Sequence, residues 1–255
     1  MPANAIMAPP ARCLVLGGSG YVGSEVCRQL ASHGAQVAFT WCANRARADE
    51  LLASLPGSHA LQWDCRVAGS AQALIDDAAF ALGGFDVLVQ CAGTAGDPTL
   101  YANGEGIDKF LSIDAAGFAQ MMDITAAGTF AACQAAVGIM RHNGGGRIVM
   151  VGSMDGIKSV PAPVHYAAAK GALVAMTQAM AKAIGEHHIL INGVAPGILD
   201  GGIGRLLSEE LRADYLKHCA LKRLGTAREV AEMVAWLALA NTYVTGQTIL
   251  LDGGL

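Results

Sequence analysis

Tyr166 and Lys170 are the two residues whose types and spacing say most about chemistry. They lie four positions apart, and on a helix this spacing places both side chains on one face. A phenol has an unperturbed pKa near ~10, and a neighbouring ammonium group lowers that pKa because it favours the phenolate. With Ser153 at the end of an apolar run upstream, the pair predicts a proton donor and acceptor that works near neutral pH. The alternative is a half-buried Tyr beside a solvated Lys.

A glycine-rich turn lies between the first apolar run and a segment with helical spacing. The run is Arg12–Gly17 and the helical segment is Ser24–Ser32. Glycine here permits a tight turn and lets backbone amides approach a pyrophosphate at the helix N-terminus. The context predicts a dinucleotide-binding loop, whose expected contacts are Gly17, Ser19, Gly20, Tyr21, Val22 and Gly23.

The ends of the next strands bear on which dinucleotide is bound. The Asp or Glu that binds the ribose of NAD is missing around Trp41, at the end of the second strand. Arg45 and Arg47 follow it and suit a 2′-phosphate, although both also fit solvated positions at a helix start. This pattern favours NADPH over NADH. Further cofactor contacts are expected at the tips of the second, third and fourth strands, from Trp41, Asp64, Cys65, Cys91, Ala92 and Gly93.

Strands alternate with helices along the whole chain. Apolar runs predict strands at Arg12–Gly17, Gln36–Thr40, Ala60–Trp63, Phe85–Gln90, Arg147–Gly152, Ile189–Val194 and Thr248–Leu251. Helical spacing occurs at Ser24–Ser32, Gly69–Leu82, Ala116–Met140, Tyr166–Gly185 and Arg228–Leu239. The alternation predicts an α/β fold, a Rossmann-type doubly wound sheet of about seven parallel strands with helices on both faces.

No linker divides the chain. Residues 12–255 are therefore expected to form a single domain, preceded by a flexible tail at residues 1–11 that does not resemble a signal peptide. Two irregular segments, 93–106 and 197–219, follow the fourth and sixth strands. They leave the carboxyl ends of those strands, where ligands bind in this architecture.

Composition argues against several classes of function. Charged residues make up 15% of the 255 residues, and the net charge is −4 with no basic run, so a nucleic-acid partner is not expected. Seven cysteines lack zinc-site spacing, which predicts no metal site and reduced thiols in the cytoplasm. The longest apolar stretch, Ile124–Met140, is short for a membrane span and favours a core helix. The low charge also suggests a homo-oligomer.

Together these motifs resemble the classical short-chain dehydrogenase/reductase family over nearly the whole chain. Ser153, Tyr166 and Lys170 have the order and spacing of its catalytic residues. Residues 192–197 (Asn-Gly-Val-Ala-Pro-Gly) and 245–254 resemble its Asn-x-x-x-Pro-Gly element and its closing strand. Within the family the chain is most similar to 3-oxoacyl-carrier-protein reductases, through residues 223–226, 229–231 and 246–248.

The resemblance implies a role for each residue. Tyr166 would protonate the carbonyl oxygen as hydride reaches the carbon, and Ser153 would hydrogen-bond that oxygen. Lys170 would lower the Tyr pKa and hold the nicotinamide ribose. The nicotinamide itself would be flanked by Pro196, Gly197 and Ile198. Met154 and His165, which adjoin the catalytic residues, are candidates for lining the substrate site or for packing.

The chain also departs from the family pattern. Leu16 and Tyr21 replace a Thr and a Gly in the glycine turn, and Cys91 replaces an Asn. Thr125 stands where the family has a catalytic Asn that anchors a water in the proton relay to Lys. Thr has a hydroxyl but a shorter reach, so Thr125 is expected to act as a catalytic residue through that hydroxyl.

Three functions are compatible with these residues. The leading one is NADPH-dependent reduction of a 3-oxoacyl thioester on a carrier protein, in fatty acid or polyketide-type synthesis. Arg141, His142 and Arg147 are candidates for contact with an acidic carrier protein or for a solvated loop. A second function is oxidation or reduction of another small alcohol, sugar or steroid-like ketone. The third is a non-catalytic partner subunit, which the intact Ser153, Tyr166 and Lys170 argue against.

Overall fold

A seven-stranded parallel sheet forms the centre of the computed structural model, which describes residues 10–101 and 106–255. The strand order is β3-β2-β1-β4-β5-β6-β7, and every neighbouring pair is parallel. This confirms the predicted doubly wound architecture, in which the order reverses between β1 and β4. The strands are β1 Arg12–Leu16, β2 Gln36–Trp41, β3 His59–Gln62, β4 Val87–Gln90, β5 Gly146–Val151, β6 Ile189–Pro196 and β7 Thr248–Leu251.

Helices cover both faces of the sheet. They are α1 Tyr21–Ser32, α2 Arg45–Ser54, α3 Ser70–Leu82, α4 Gly106–Ser112, α5 Ala115–Met122, α6 Gly128–His142, α7 Val164–Ile184, α8 Glu209–His218 and α9 Ala227–Ala235. Because successive strand side chains point to opposite faces, β1 contributes to two cores. Cys13 and Val15 pack with α1, α2 and α9, while Leu14 and Leu16 pack with α3, α6 and α7.

The helix predicted at Ala116–Met140 is interrupted in the structure. α5 continues into α6 through a π-helical turn, Asp123–Ala127, which contains Thr125. A π turn places one extra residue in the helical ladder and is frequent at functional sites. The hydroxyl of Thr129 donates to the carbonyl of Thr125 at 2.5 Å. Apolar periodicity does not reveal such a turn, because the residues on both sides still face the core.

The stretch Ala115–His142 is also long and apolar enough, by length and mean hydropathy, to cross a membrane. One such helix is weak evidence, since a core helix passes the same test. Ala132, Cys133, Ala136 and Met140 are fully buried in the core beneath the sheet. The helix therefore packs in the position that the sequence predicted for it.

Several element boundaries differ from the sequence predictions. α2 and α4 were not predicted as helices, and α1 begins at Tyr21 rather than at Ser24. α2 is capped by Asn44, whose side chain accepts from the Arg47 amide, so Arg45 and Arg47 do lie at a helix start. Residues 1–9, most of the predicted tail, lie outside the described residues. Ala11 is already buried, and its carbonyl accepts from the Gln36 amide.

Candidate active site

Two adjoining cavities lie at the carboxyl ends of the central strands. The first, of about 770 Å³, is bounded by the glycine turn and by the tips of β2 and β3. The second, of about 290 Å³, is bounded by the glycine turn, the end of β5, the start of α7 and the segment after β6. Gly20, Cys91, Gly93 and Thr94 line both cavities. One elongated ligand can therefore extend from the first into the second.

The glycine turn is shaped for close backbone approach. Gly17 has a φ of 70° and its amide donates to Thr40 Oγ1 at 2.8 Å. A Cβ on Gly17 would lie 2.7 Å from the Ala92 Cα, so only glycine fits between β1 and β4. Gly20 precedes the twelve-residue α1, and no side chain caps that end of the helix. The first cavity borders this uncapped helix end, and its free amides suit the pyrophosphate of a dinucleotide.

Tyr21 contacts the segment after β6 in addition to lining the second cavity. Its ring lies against Gly201 and Gly202 in the segment after β6, where a Cβ on Gly202 would be 3.0 Å from it. Its hydroxyl donates to the Asp200 carboxylate. Tyr21 therefore joins the glycine turn to the segment that covers the second cavity. Tyr21 and Val22 line that second cavity, whereas Gly17 and Ser19 line the first.

The first cavity ends in a polar region beyond β2 and β3. Trp41, Arg47 and Cys65 line it. Arg45 is directed elsewhere, since its Nε lies 3.6 Å from Asp49 and its guanidinium lies 6.0 Å from the centre of the Trp41 ring. Among the described residues, Arg47 rather than Arg45 is therefore the Arg of α2 that borders the cavity.

Asp64 is engaged by a residue that the sequence analysis did not identify. Arg66 Nη2 lies 2.6 Å from Asp64 Oδ2, and both residues line the first cavity. The hydrogen bonds from Arg66 lower the pKa of Asp64 to about 2. The carboxylate is thus neutralised by its neighbour, and Arg66 adds a second cation to this end of the cavity. The sequence signal that could have indicated this ion pair is the basic residue two positions after Asp64.

Ser153, Tyr166 and Lys170 meet at the second cavity, as the sequence predicted, together with Pro196, Gly197 and Ile198. Ser153 follows β5 and begins a short 3₁₀ turn at 154–156, while α7 carries Tyr166 and Lys170. Lys170 Nζ lies 5.6 Å from the centre of the Tyr166 ring and donates to the Val151 carbonyl at 3.4 Å. A Cβ on Gly156 would lie 2.6 Å from the Lys170 carbonyl carbon, so the 154–156 turn packs directly on α7.

The pKa of Tyr166 in the second cavity differs from the sequence prediction. The pKa of Tyr166 is raised well above its ordinary value, chiefly by burial and then by the nearby charge of Asp155. The nearby Lys170 does not offset these effects, so the sequence-based expectation of a lowered Tyr166 pKa is wrong for this structure. The phenol is held protonated, which is the form that donates to a carbonyl oxygen. Burial also lowers the pKa of Lys170 to about 8, against opposing effects of Cys91 and Asp155.

Asp155 is the second residue that sequence analysis missed. It lines the second cavity, and its Oδ2 accepts the hydroxyl of Ser153 at 2.8 Å. Tyr101 also borders this cavity; its ring meets the Tyr166 ring edge-on, with 6.2 Å between centroids. An acid two positions after the Ser was visible in the sequence, but its direction toward the Ser depends on the 3₁₀ turn.

Two predicted residues lie apart from this cluster, and a third lines the same cavity while also packing elsewhere. Thr125 is fully buried and lines neither cavity; its hydroxyl lies 3.8 Å from the sulfur of Met121. His165 borders the first cavity rather than the second, and its Nδ1 has no partner among the described residues. Met154 lines the second cavity but also packs on Tyr215.

Arg147 does not have the exposed position that contact with a carrier protein would require. It is buried, and its Nε donates to the Asn241 carbonyl at 3.0 Å. Arg147 lies near the start of β5, at the opposite end of the strand from Ser153. Arg141 and His142 are exposed at that same far end, so these three residues do not surround the cavity.

Lys170→Met should make the unliganded protein more stable at pH 7, by about 1–3 kcal/mol, because it removes a buried ammonium group. The folded-state pKa of Lys170 is below its ordinary 10.5, so the unfolded chain binds more protons between about 8 and 10.5 and the parent regains stability there. The advantage of the variant should therefore shrink as pH rises through that window. Urea unfolding at several pH values measures this.

Lys182→Met is the matched control, since Lys182 is exposed on the same helix. Its effect on the free energy of unfolding should be small. A Lys170→Met protein that is less stable than the parent at pH 7 would show that the ammonium is better satisfied than its contacts indicate.

Comparison with known proteins identifies the same family that the sequence motifs resemble. A family model described as enoyl-(acyl carrier protein) reductase matches residues 20–255. A 3-oxoacyl-[acyl-carrier-protein] reductase, FabG, of Staphylococcus aureus is 29% identical over 247 residues, which are 95% of this chain and 96% of the relative. A solved short-chain dehydrogenase/reductase from Serratia marcescens superposes with a TM-score of 0.85 at 28% identity, over 98% of each chain.

A second solved structure bears on the ligands. A 7α-hydroxysteroid dehydrogenase complexed with NADH and 7-oxo glycochenodeoxycholic acid superposes with a TM-score of 0.87 at 26% identity, over 100% of this chain and 98% of the other. The matches span the glycine turn, the β5 end and α7, which together form the two cavities. This chain belongs to the short-chain dehydrogenase/reductase family and is an oxidoreductase of the type that binds a nicotinamide dinucleotide.

Proposed function

We propose that the protein reduces a ketone to a secondary alcohol with NADPH, and that its substrate is a 3-oxoacyl thioester bound to a carrier protein. The observation that carries this proposal is the meeting of Ser153, Tyr166 and Lys170 at the second cavity, which shares lining residues with the cavity beside the glycine turn. The similarity to FabG of Staphylococcus aureus supports the substrate class.

The chain's own residues would supply position and a proton. The dinucleotide, when bound, supplies the hydride. Tyr166 donates its phenolic proton to the carbonyl oxygen, which develops negative charge as the carbon is reduced, and Ser153 holds that oxygen by a hydrogen bond. Lys170 lies beneath the Tyr166 ring, where its ammonium stabilises the phenolate that remains. Pro196, Gly197 and Ile198 line the second cavity, where they would flank the nicotinamide.

NADPH is preferred in this proposal because Arg47 and Arg66 border the far end of the first cavity. The carboxylate there, Asp64, is already paired with Arg66, so it does not present an unpaired acceptor to a ribose hydroxyl. We further propose that the enzyme is cytoplasmic. All seven cysteines are free, as expected in a reducing compartment.

A second candidate is oxidation or reduction of a hydroxysteroid or another small alcohol or ketone. The similarity to the 7α-hydroxysteroid dehydrogenase favours it, as does the apolar wall formed by Pro161, Pro163, Ile203 and Leu207 in the second cavity. An NADPH oxidation screen separates the two candidates. It should compare 3-oxoacyl thioesters of varied length, on carrier protein and on coenzyme A, with steroid and aryl ketones.

Tyr166→Phe should lower turnover by ~10²–10⁴-fold, the usual range for loss of general acid catalysis, while NADPH binding is retained. Steady-state kinetics with a reducible ketone and fluorescence titration of the cofactor measure the two effects. Tyr101→Phe is the matched control, because the Tyr101 hydroxyl donates to the Ala95 carbonyl and is not required as an acid. Near-native turnover of Tyr166→Phe would refute the mechanism.

Arg47→Ala should raise the KM for NADPH by about tenfold, as expected for loss of one charge-assisted contact to a phosphate, with little change for NADH. Arg45→Ala serves as the control, since Arg45 pairs with Asp49 outside the cavity. Initial rates with both cofactors, in all three proteins, measure the effect. Equal KM values for NADPH and NADH in the parent would contradict the proposed cofactor preference.

A homodimer or homotetramer is the proposed assembly. Phe118 on α5 is 40% exposed and Phe130 on α6 is 50% exposed. The outer side of the continuous α5–α6 helix therefore carries exposed apolar side chains. We expect sedimentation at micromolar concentration to show a dimer or tetramer that Phe130→Asp shifts toward smaller species. Phe80→Asp, on the more exposed Phe of α3, should leave the assembly unchanged. A monomeric parent would refute the assembly.

A further inference from the structure

Asp155 is a carboxyl group at the reacting end of the second cavity that the proposed mechanism does not use. It is half-buried, and one of its oxygens, Oδ2, accepts the Ser153 hydroxyl at 2.8 Å. The titratable groups that face it are Lys170 and Tyr166 from α7 and Tyr101 from the turn at 98–101. Lys170 is the cation among them, while both phenols are held neutral by burial.

The hydrogen bond to Asp155 competes with the role of Ser153. A serine hydroxyl has one proton and two lone pairs. While this proton is donated to Asp155, it is not available to the carbonyl oxygen of a substrate. If it turns to the carbonyl, an ionised Asp155 loses its donor and faces the Ser153 oxygen with its own lone pairs. A charged group left without a donor in a half-buried site is costly.

Protonation of Asp155 resolves this conflict. A carboxylic acid has one donor, which can be directed to Ser153 Oγ while the Ser153 proton is directed to the substrate. The environment favours this form, because burial is the largest influence on the pKa of Asp155 and raises it. The hydrogen bond from Ser153 and the Lys170 ammonium act in the opposite direction but do not cancel the effect of burial.

We propose that Asp155 is a positioning residue that takes up one proton when a ketone binds and then donates a hydrogen bond to Ser153 Oγ. The proton comes from solvent, and the only covalent change is the new O–H bond on Asp155. The inference rests on the proposed function in one respect: a 3-oxoacyl thioester has no donor beside its keto group that could satisfy an ionised Asp155. Asp155 thereby makes Ser153 a donor to the substrate rather than to the protein.

Proton uptake on binding tests the proposal without catalysis. In the Tyr166→Phe background, NADPH and S-acetoacetyl-N-acetylcysteamine form a complex that turns over too slowly to interfere. Calorimetric titration in buffers of different ionisation enthalpy gives the number of protons bound. At pH 7, below the pKa of about 8 of the neighbouring Lys170, we expect an uptake approaching one proton in Tyr166→Phe and near zero in Tyr166→Phe/Asp155→Asn, because the Asn amide already donates. Equal uptake in the two proteins would overturn the proposal.

A pH profile of kcat/KM in the otherwise native enzyme gives a second readout. The parent should lose about tenfold in kcat/KM per pH unit above the pKa of Asp155. Asp155→Asn should lack this decline and stay within about threefold of the parent at low pH. Asp155→Leu, which can neither donate nor accept, should be low at every pH. If Asn and Leu behave alike, Asp155 has only a structural role and the inference is wrong.

Failure of the substrate assignment is distinguishable from failure of this inference. If the parent reduces a steroid or aryl ketone but no 3-oxoacyl thioester, the proposed function is wrong. The same titration with that ketone, chosen without a hydroxyl beside its carbonyl, then tests Asp155. Whichever ketone is used, proton uptake that disappears in the Asp155→Asn variant supports the inference. Proton uptake that persists in that variant refutes it.

Discussion

The direct contact between the 154–156 turn and α7 is the constraint on which the candidate active site depends. Gly156 lies so close to the backbone at Lys170 that a Cβ would approach a carbonyl carbon at 2.6 Å. This contact ties the end of β5, which carries Ser153, to the helix that carries Tyr166 and Lys170. Backbone packing between the two elements therefore fixes the positions of these three side chains relative to one another. A site held by backbone packing is less sensitive to side-chain motion than one held by side chains alone.

The same packing buries the ionisable groups, and burial sets their protonation. Tyr166 and Asp155 are pushed toward their neutral acid forms, and Lys170 toward its neutral base form. Desolvation disfavours the charged form of every group, so the cavity favours the neutral phenol of Tyr166 and disfavours the ammonium of Lys170. In the proposed mechanism, a nicotinamide ribose and a substrate carbonyl would bring hydrogen-bonding partners to these groups. The ionisation of the site would then be linked to the binding of its ligands.

Much of the fold could be predicted from the sequence, because a parallel strand buried on both faces is a continuous apolar run. β1, β4 and β5 are of this kind, and their alternation with long helices indicates the doubly wound sheet. α2 and α4 escaped prediction because their surfaces are largely polar or exposed, so no apolar periodicity marks them. The π turn at Thr125 was not predicted for another reason. It changes the hydrogen-bond pattern of the helix and leaves the apolar sequence pattern intact.

At the candidate site, the sequence predicted which residues meet but not the directions of the side chains around them. Order and spacing sufficed to bring Ser153, Tyr166 and Lys170 together, since each sits at a fixed distance from a strand or helix end. The roles of Tyr21, Arg66 and Asp155 depend on where a side chain points after a turn, and that direction follows from packing. Tyr21 reaches Asp200 across 179 positions of chain, which no local pattern records. Strand and helix ends therefore set which residues meet at the site, whereas the turns set the directions of the side chains around them.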